Sequence, residues 1–376
     1  MRCTSKPWSK PGRWKVNLNP LSTRPLLPLY FATHHHFVVF LLSTAASETS
    51  EGQHAVVLQP PHRVVLHTQS TGQEQRTIEA DFVYTAQHNN HNLCIDALHP
   101  LIDRALLGYN ALILAYGSSG TGKAHTMRGK RGEVGIVEAA ANRLFSQLST
   151  LSDTASFITL SFYQISGTTI VDLLAPDTTA PLQLSDHRTY GALVVDVTQL
   201  ECQSADELNL LVRQAYTTSD ALVRRSATRS KPHLVIEWRV EVQTGGMTRS
   251  SLVRFVQCAG SGGVSLQFNP GLQSLAQCMA ALAAGKQRWD VPFSGSALTR
   301  LCEYGLGGSG YGLFVCCIDG KDVSLPDTMH GLEMCERARK IKSTPASNRN
   351  TTQAQISHHT TQHKRPLITA TQLLHD

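Results

Sequence analysis

The chain alternates short apolar runs with segments in which apolar residues recur every three or four positions. Five runs are each long enough for one strand, and they lie at 37–42, 111–116, 157–163, 193–197 and 313–318. Helical spacing appears in the segments 92–107, 272–284, 296–304 and about 326–341. Strands that alternate with helices in this way predict an α/β domain built around a central sheet.

Two local patterns add detail to this outline. Ser204 and Glu207 form a Ser-x-x-Glu capping box, which predicts that a helix begins there. Between 234 and 242 the even positions are apolar and charged residues occupy odd positions, which predicts a half-buried strand. The glycine pair at 245–246 then predicts a turn into a partner strand at 252–257, so the two strands form a hairpin.

The stretch from Ala111 to Gly129 carries the clearest chemical signal. Its apolar run meets a glycine-rich turn, and a lysine follows at the spacing G-x-x-x-x-G-K. Glycines let the backbone approach a polyphosphate with its N–H groups turned inward, while the lysine and the start of a helix add positive charge. This pattern predicts a phosphate cradle, and a tight turn without a ligand is the alternative. The candidate nucleotide-binding residues are Gly117, Ser118, Ser119, Gly120, Thr121, Gly122, Lys123 and Ala124.

Composition narrows the class of protein. With 376 residues and 41% hydrophobic content, the chain can bury a substantial core. Its net charge of +6 permits an acidic partner, but the basic residues are scattered, so we expect no nucleic-acid partner. The apolar run at 37–42 is too short to span a membrane, so we expect no membrane partner. Nine cysteines without a C-x-x-C pair favour a reducing cytosol over zinc or a disulfide framework.

Several segments in a fixed order resemble the kinesin motor domain. GYNALILAYGSSGTGKAHTMRG at 108–129 resembles the family's strand and P-loop, and ADFVY at 80–84 resembles F-D-x-V-F. ITLSFYQISGTTIVDLL at 158–174 follows V-S-Y-x-E-I-Y-N-E-x-I-x-D-L-L without a gap. VPFSGSALTRLCEYGLGG at 291–308 resembles V-P-Y-R-D-S-K-L-T-R-L-L-x-D-S-L-G-G. The resemblance covers about residues 81–341.

The resemblance implies a P-loop NTPase-type kinesin motor fold, which is an α/β fold with a central mixed β-sheet flanked by helices on both faces. It also implies ATP or ADP as cofactor, Mg²⁺, a microtubule or tubulin partner, and a location on the cytoskeleton in the cytoplasm. We expect a poorly ordered N-terminal tail at 1–36, the motor domain at 37–342 and a disordered C-terminal tail at 343–376. No heptad pattern is sustained, so we expect no coiled-coil dimer.

The family's first switch motif, N-x-x-S-S-R-S-H, reads SATRSKPH at 226–233. Ser230 stands at the position that faces magnesium and nucleotide in the family, so it is either a metal-facing residue or an ordinary loop serine. Lys231 replaces the family's arginine. His233 is retained, and we interpret it as a hydrogen-bonded residue at a strand edge rather than as a catalytic base.

The second switch motif, D-L-A-G-S-E, reads QCAGSG at 257–262. Gln257 replaces the aspartate that holds the water shell of the metal, and Gly262 replaces the glutamate that pairs with the switch arginine. Gly260 is kept and is a further candidate for nucleotide contact. In the P-loop itself, Ala124 stands where a Ser or Thr hydroxyl would hold Mg²⁺.

These replacements all affect groups that hydrolysis depends on, because hydrolysis needs a metal ion between the terminal phosphates and a positioned water molecule. We therefore expect nucleotide binding with a weakened Mg²⁺ site and with ATP hydrolysis weak or lost. The alternatives are an active ATP-driven microtubule motor, and a pseudo-motor scaffold that binds a protein partner. No residue is assigned a catalytic role.

The side that faces the track in kinesins also departs from the family. Ser294, Gly295 and Ala297 replace an arginine, an aspartate and a lysine, which removes two basic contacts to acidic tubulin and predicts weaker binding. Arg300 is kept, with a role in packing or in contact. Away from the site, we interpret Asp172 as a cap or ion-pair residue, and we place Trp238 in the core.

Overall fold

The computed structural model describes residues 37–43, 56–59, 62–67, 75–85, 88–152, 154–175, 181–226, 231–261, 269–318, 325–351 and 368–369. All of them belong to one compact unit, which runs from His35 to Asp376. The predicted N-terminal tail, Ser230 and Gly262 lie outside the described residues.

The strands fall into a large sheet and smaller pieces. In chain order they are β1 (Phe37–Ser43), β2 (Val56–Gln59), β3 (Arg63–His67), β4 (Gln75–Glu79), β5 (Phe82–Tyr84), β6 (Ala111–Gly117), β7 (Gly129–Lys130), β8 (Glu133–Val134), β9 (Ala155–Ser166), β10 (Thr169–Asp172), β11 (Leu184–His187), β12 (Gly191–Val194), β13 (Leu200–Glu201), β14 (His233–Thr244), β15 (Met247–Gln257), β16 (Tyr311–Ile318), β17 (Arg349–Thr351) and β18 (Ile368–Thr369).

The helices in chain order are α1 (Asn90–Leu93), α2 (His99–Leu106), α3 (Lys123–Arg128), α4 (Ile136–Leu148), α5 (Ala205–Arg225), α6 (Pro270–Ala283), α7 (Ala297–Cys302) and α8 (Leu325–Lys340). A π-helical turn at Cys94–Leu98 joins α1 to α2. The segment predicted as a helix at 92–107 is therefore helical almost throughout. Helix α5 begins as predicted, because the Ser204 side chain accepts a hydrogen bond from the Glu207 N–H at 3.2 Å.

The large sheet has the strand order β18-β13-β9-β14-β15-β6-β16-β1-β5, with β10 beside β9 and β17 beside β15. Strand β6 pairs in parallel with β15 and β16, whereas β14 is antiparallel to both of its neighbours. The sheet is therefore mixed, as the sequence predicted. Strands β2, β3 and β4 form a separate three-stranded sheet.

Helices cover both faces of the large sheet. On one face, Leu112 and Leu114 of β6 share a core with Leu272 of α6 and Leu332 of α8. On the other face, α2 packs against β6, β14 and β15. Successive side chains of β6 point to opposite faces of the sheet and lie in the two cores. Every residue of this strand is buried. The C-terminal end of β6 is consequently fixed by packing on both faces of the sheet.

The predicted hairpin forms, but its first strand is not half-buried. Strands β14 and β15 pair from Leu234 opposite Gln257 to Thr244 opposite Met247. Strand β14 also pairs with β9, so it lies inside the sheet and its residues 233–238 are all buried. Trp238 is fully buried, which confirms its place in the core. The strand expected at 193–197 is also different, since among the described strands β12 (Gly191–Val194) pairs with β11 alone, in a two-stranded sheet.

One ion pair is buried at this hairpin. Arg254 of β15 lies opposite Glu237 of β14, and the two side chains are 0% and 4% exposed. The Arg254 Nη2 and Nε donate to Glu237 Oε2 at 2.6 and 3.0 Å. The Tyr163 hydroxyl donates to the same oxygen, and Arg254 also donates to the carbonyl oxygen of Leu301. The pair thereby ties the sheet to the segment around α7.

The expected disordered tail from Ser343 is wrong for its first residues. The Thr344 and Ala346 N–H groups donate to Gly308 and Ser309, and β17 pairs with β15. The Asn348 amide donates to Ser250 O at 3.1 Å. This segment lacks an apolar period because its own backbone and polar side chains, rather than apolar side chains, hold it against the sheet.

Candidate nucleotide site

The site begins where β6 ends. Because β6 lies between two parallel neighbours, its carboxyl end opens at the edge of the sheet, where ligands of open α/β sheets are bound. The chain turns there through the glycine loop and enters α3 at Lys123. The sequence predicted this strand, loop and helix in the same order.

The loop needs its glycines for two different reasons. Gly117 has φ 141°, and a Cβ there would lie 2.0 Å from the carbonyl oxygen of Cys317 on the neighbouring strand. Gly122 caps α3 with φ 100°, a left-handed conformation that other residues rarely adopt. The Thr121 hydroxyl donates to Ser118 O at 2.9 Å and closes the turn.

Lys123 is folded into the loop. Its side chain is buried, and its Nζ donates to the carbonyl oxygens of Gly117 and Ser118, both at 2.6 Å. Among the described residues these are its hydrogen-bond partners, so one of its three N–H donors is left for a ligand. Burial lowers the pKa of Lys123, and the nearby Lys231 charge lowers it further. An anionic ligand would therefore be favoured beside this ammonium.

The segment after β15 lies against the cradle. The Ser261 N–H donates to Gly117 O at 3.1 Å, and the Cys258 N–H donates to Ala115 O at 2.9 Å. Gly260 is so close to the loop that a Cβ there would meet the Ser119 hydroxyl oxygen at 2.0 Å. The structure thus places Gly260 and Ser261 directly beside the glycine loop.

His233 connects three parts of the site. Its Nδ1 accepts a hydrogen bond from the Ala259 N–H at 3.1 Å, and its Nε2 lies 3.0 Å from Asn269 Oδ1, the cap of α6. The ring is 2% exposed, and burial lowers its pKa to about 4. His233 is therefore a neutral, hydrogen-bonded residue at the start of β14. Asp172 is also structural, because its carboxylate accepts from the Leu174 and Thr198 N–H groups.

The lowered pKa of His233 predicts that the folded protein loses stability in acid. Its pKa of about 4 lies below the ordinary value, so the unfolded chain binds a proton between about pH 6.5 and 4 that the folded chain does not bind. Stability is therefore full above about pH 6.5 and falls as the pH is lowered toward 4. We expect a loss of about 2 to 3 kcal/mol in the free energy of unfolding between pH 7 and about 4.5. Urea unfolding at both pH values measures this.

The control for this prediction is His233→Gln, which does not titrate. The variant is expected to be less stable than the parent at pH 7, because it loses one of the two hydrogen bonds. Its stability should depend less on pH by about 2 kcal/mol over the same interval. Parallel pH profiles for the two proteins would contradict the assignment.

The positions that hold Mg²⁺ in the family offer poor metal ligands here. Ala124 presents a methyl group from α3, and Gln257 presents a neutral amide from the end of β15. The Gln257 Oε1 is buried and has no hydrogen-bond partner within the described residues. Across the same residues, no group of three or more His, Cys, Asp or Glu side chains could hold a metal ion. The donor set therefore does not fit a hydroxyl-and-carboxylate magnesium site.

One polar cluster next to the cradle was not predicted from the sequence. His125 of α3 contacts the Glu133 carboxylate at 2.8 Å, and the Asn90 N–H donates to the same carboxylate at 3.0 Å. The Asn90 side chain also donates to His125 O. These contacts hold α3 against β8. No sequence signal could reveal them, because the β7–β8 hairpin brings the partners together.

Of the positions that face the track in kinesins, Ser294 and Gly295 are exposed and Ala297 is half-buried. Helix α6 begins at Pro270, which occupies the first helical turn after the Asn269 cap. The helix therefore starts just before residue 272, where the helical spacing predicted it. A Cβ on Gly295 would lie 2.9 Å from the Ser274 hydroxyl oxygen of α6. Arg300 donates to Asp186 Oδ1 at 2.7 Å, so it holds α7 to the β11–β12 hairpin.

A mixed sheet with helices on both faces, and a glycine loop that carries a buried lysine, define a P-loop α/β fold. The chain belongs to the kinesin family, since a sequence model described as Kinesin motor domain matches residues 42–341. A solved structure described as that of a fast kinesin aligns with a TM-score of 0.75 at 22% identity, over 85% of this chain and 96% of that one. This likeness establishes the kinesin motor fold.

Curated relatives agree with this assignment. The human chromosome-associated kinesin KIF4A is 28% identical over 303 residues, which cover 74% of this chain and 24% of that protein. The kinesin-like protein klp-19 of Caenorhabditis elegans is 28% identical over 302 residues, which cover 74% and 27%. The chain thus spans about a quarter of the length of these relatives. Among the described helices, none is long and apolar enough to cross a membrane.

Proposed function

We propose that this protein is a divergent kinesin motor domain that binds ATP or ADP, associates with microtubules, and hydrolyses ATP weakly or not at all. The observation that carries the proposal is the contrast between neighbouring residues. Lys123 is buried in a cradle with the strand-to-helix bend of a P-loop, whereas Ala124 beside it has no side-chain oxygen.

Retained binding is supported by the loop and by the segment that contacts it. The cradle is formed by glycines with positive φ angles, by the buried Lys123 and by Gly260, which lies close to Ser119. None of these features needs a metal ligand. Backbone groups and a lysine can hold a phosphate by themselves. ADP and ATP are therefore the ligands that we assign to residues 117–124, Ser230 and Gly260, and Ser230 is also the candidate metal-facing residue.

Weak hydrolysis is supported by what surrounds the cradle. Ala124 and Gln257 replace the two side chains that hold magnesium in the family, and Lys231 and Gly262 replace an ion pair. His233, which could have served as a base, is buried and held by two hydrogen bonds. Loss of one proton-transfer group lowers a rate by roughly 100-fold or more, and several changes coincide here.

Association with microtubules follows from family membership, and so does a location on the cytoskeleton in the cytoplasm. We expect the affinity to be reduced, because Ser294, Gly295 and Ala297 lack the charges of the family. Arg300 does not compensate, since it already pairs with Asp186. A co-sedimentation assay measures this affinity and also separates the proposal from a scaffold that binds neither nucleotide nor track.

Restoration of the lost residues tests the proposal. The variant carries Ala124→Thr, Gln257→Asp and Gly262→Glu together, and phosphate release is measured with microtubules, ATP and Mg²⁺. The parent is expected to release phosphate at least about 100-fold more slowly than the variant, because the variant regains metal ligands. A parent that releases phosphate at about 1 s⁻¹ or faster without the substitutions would exclude the proposal.

A further inference from the structure

We propose that Arg104, Arg249 and Arg349 form a binding site for a phosphate dianion, at the end of the large sheet opposite to the cradle. Strand β6 runs from Ala111, near this site, to the cradle at Gly117. The ligand is a phosphoryl group, either as inorganic phosphate or on a phosphorylated side chain. The inference is independent of the proposed nucleotide binding, because it concerns other residues at another end of the sheet.

Two of the arginines face each other across a pair of strands. Arg249 of β15 and Arg349 of β17 are direct partners in the antiparallel register. The side chains of direct partners lie on the same face of a sheet, with Cβ atoms about 5 Å apart, and like charges at such positions are destabilising. An anion bound between the two guanidinium groups would relieve this repulsion.

The third arginine lies on the same face of the sheet. Tyr311 of β16 is in register with Ala111 of β6, and Ala111 is in register with Val253 of β15. Because Arg249 precedes Val253 by four positions, Tyr311 and Arg249 point to the same face. Arg104 lies over Tyr311, with its Cζ 5.7 Å from the centre of the ring. Helix α2, which packs on β15, thus brings Arg104 to the face that carries Arg249.

The turn after α2 fits closely against both strands. A Cβ on Gly108 would lie 3.4 Å from the Arg249 Cβ and 3.0 Å from the Ser347 hydroxyl oxygen. That hydroxyl donates to Leu107 O at 2.6 Å and accepts from the Arg349 Nε at 3.0 Å. Short contacts therefore fix the base of the site, and Arg349 is exposed at its rim.

The positive charge of the site is not balanced within the described part of the chain. No ion pair there includes Arg104, Arg249 or Arg349. Other arginines do pair with carboxylates, as Arg143 does with Asp103 at 2.7 Å. The Nε atoms of Arg104 and Arg249 are also buried without a hydrogen-bond partner in the described residues. Since unpaired buried donors are destabilising, the two guanidinium groups favour a ligand that accepts hydrogen bonds.

The residue types favour a phosphoryl group over a carboxylate or chloride. A guanidinium offers a rigid fork of N–H donors that fits two oxygens of one ligand, and its charge persists when it is partly buried. Three such groups match a ligand with about two negative charges and three acceptor oxygens. Tyr109 and Tyr311, with ring centres 5.4 Å apart, form the aromatic wall against which Arg104 is held.

Calorimetric titration of the full chain with inorganic phosphate, at an ionic strength kept constant with chloride, tests the inference. We expect a Kd of about 1 mM or lower, because at least two charge-assisted hydrogen bonds form. Arg249→Gln and Arg349→Gln should each raise Kd at least about 10-fold. Arg249→Lys should also weaken binding, since it keeps the charge but loses the fork. The matched control is Arg213→Gln, which removes an exposed arginine of α5 and should change Kd less than about twofold.

Binding at the arginines must be distinguished from binding in the cradle, which is also suited to phosphate. Each titration is therefore repeated with Lys123→Ala, and the arginine variants should have the same effects in that background. Phosphate binding that is lost in Lys123→Ala alone, and unchanged by Arg249→Gln and Arg349→Gln, would place the anion in the cradle and overturn the inference.

Titration with O-phosphoserine and with succinate identifies the ligand class. Binding of inorganic phosphate alone would support a free anion, and tighter binding of O-phosphoserine would support a phosphorylated side chain. Succinate bound as tightly as the phosphate compounds would overturn the assignment of a phosphoryl group. The site itself would be excluded by a parent protein that binds neither phosphate compound.

Discussion

Lys123→Ala is expected to weaken the binding of ATP and ADP by about 100-fold. The buried ammonium supplies a charge-assisted hydrogen bond to a phosphate, which contributes about 2 to 3 kcal/mol. Lys123 also bridges the carbonyl oxygens of Gly117 and Ser118, so its removal frees the loop that positions the phosphate. Equilibrium titration with a fluorescent ADP analogue measures the change.

The control for this variant is Lys130→Ala. Lys130 is exposed, pairs with Glu133 and lies in β7, just after the helix that Lys123 begins, so its loss removes one nearby positive charge without touching the cradle. It should change the affinity less than about threefold, because an exposed charge is screened. A Lys123→Ala protein that binds as tightly as the Lys130→Ala protein would show that ADP is held elsewhere.

Arg254→Met is expected to lower the free energy of unfolding by about 3 to 5 kcal/mol, since it leaves Glu237 buried without its charge partner. The carboxylate would keep only the Tyr163 hydroxyl and a distant Arg239, at 3.2 and 4.0 Å. The carbonyl oxygens of Leu301 and Ala192 would lose their donor as well. Urea denaturation of the parent and the variant measures the difference.

Two further variants identify the source of this loss. The double variant Arg254→Met with Glu237→Met should recover most of the stability, because replacing both charges with apolar groups removes the unpaired carboxylate. Arg213→Met removes an arginine of an exposed pair with Glu138 and should have an effect below about 1 kcal/mol. A double variant as unstable as Arg254→Met alone would mean that packing, rather than charge, is responsible.

Much of the fold follows from periodicity. The strand that ends at Gly117 and the helix that begins after Ser204 could be predicted, because local chemistry determines each of them. The glycines of the cradle were equally informative, since positive φ angles and a close neighbour at Gly117 leave few other residues possible. The kinesin motifs then implied a central mixed sheet with helices on both faces.

Other features depend on pairings between distant parts of the chain. The charge of Glu237 suggested an exposed position, and only the register of β14 against β15 shows that Arg254 neutralises it in the core. The segment after Ser343 has a polar composition typical of a tail, yet its backbone hydrogen bonds attach it to the sheet. Sequence patterns report the character of side chains, and they say little about bonds between backbones.

We propose that a phosphate cradle persists in this protein without the magnesium chemistry of hydrolysis. The most direct measurement is steady-state phosphate release by the purified protein, with ATP and Mg²⁺, at saturating microtubule concentration and under conditions where bound ADP is demonstrated. We expect microtubules to accelerate release less than about twofold, because several groups needed for hydrolysis are replaced. Turnover of about 1 s⁻¹ or faster that depends on microtubules, as expected of an ordinary enzyme, would contradict it.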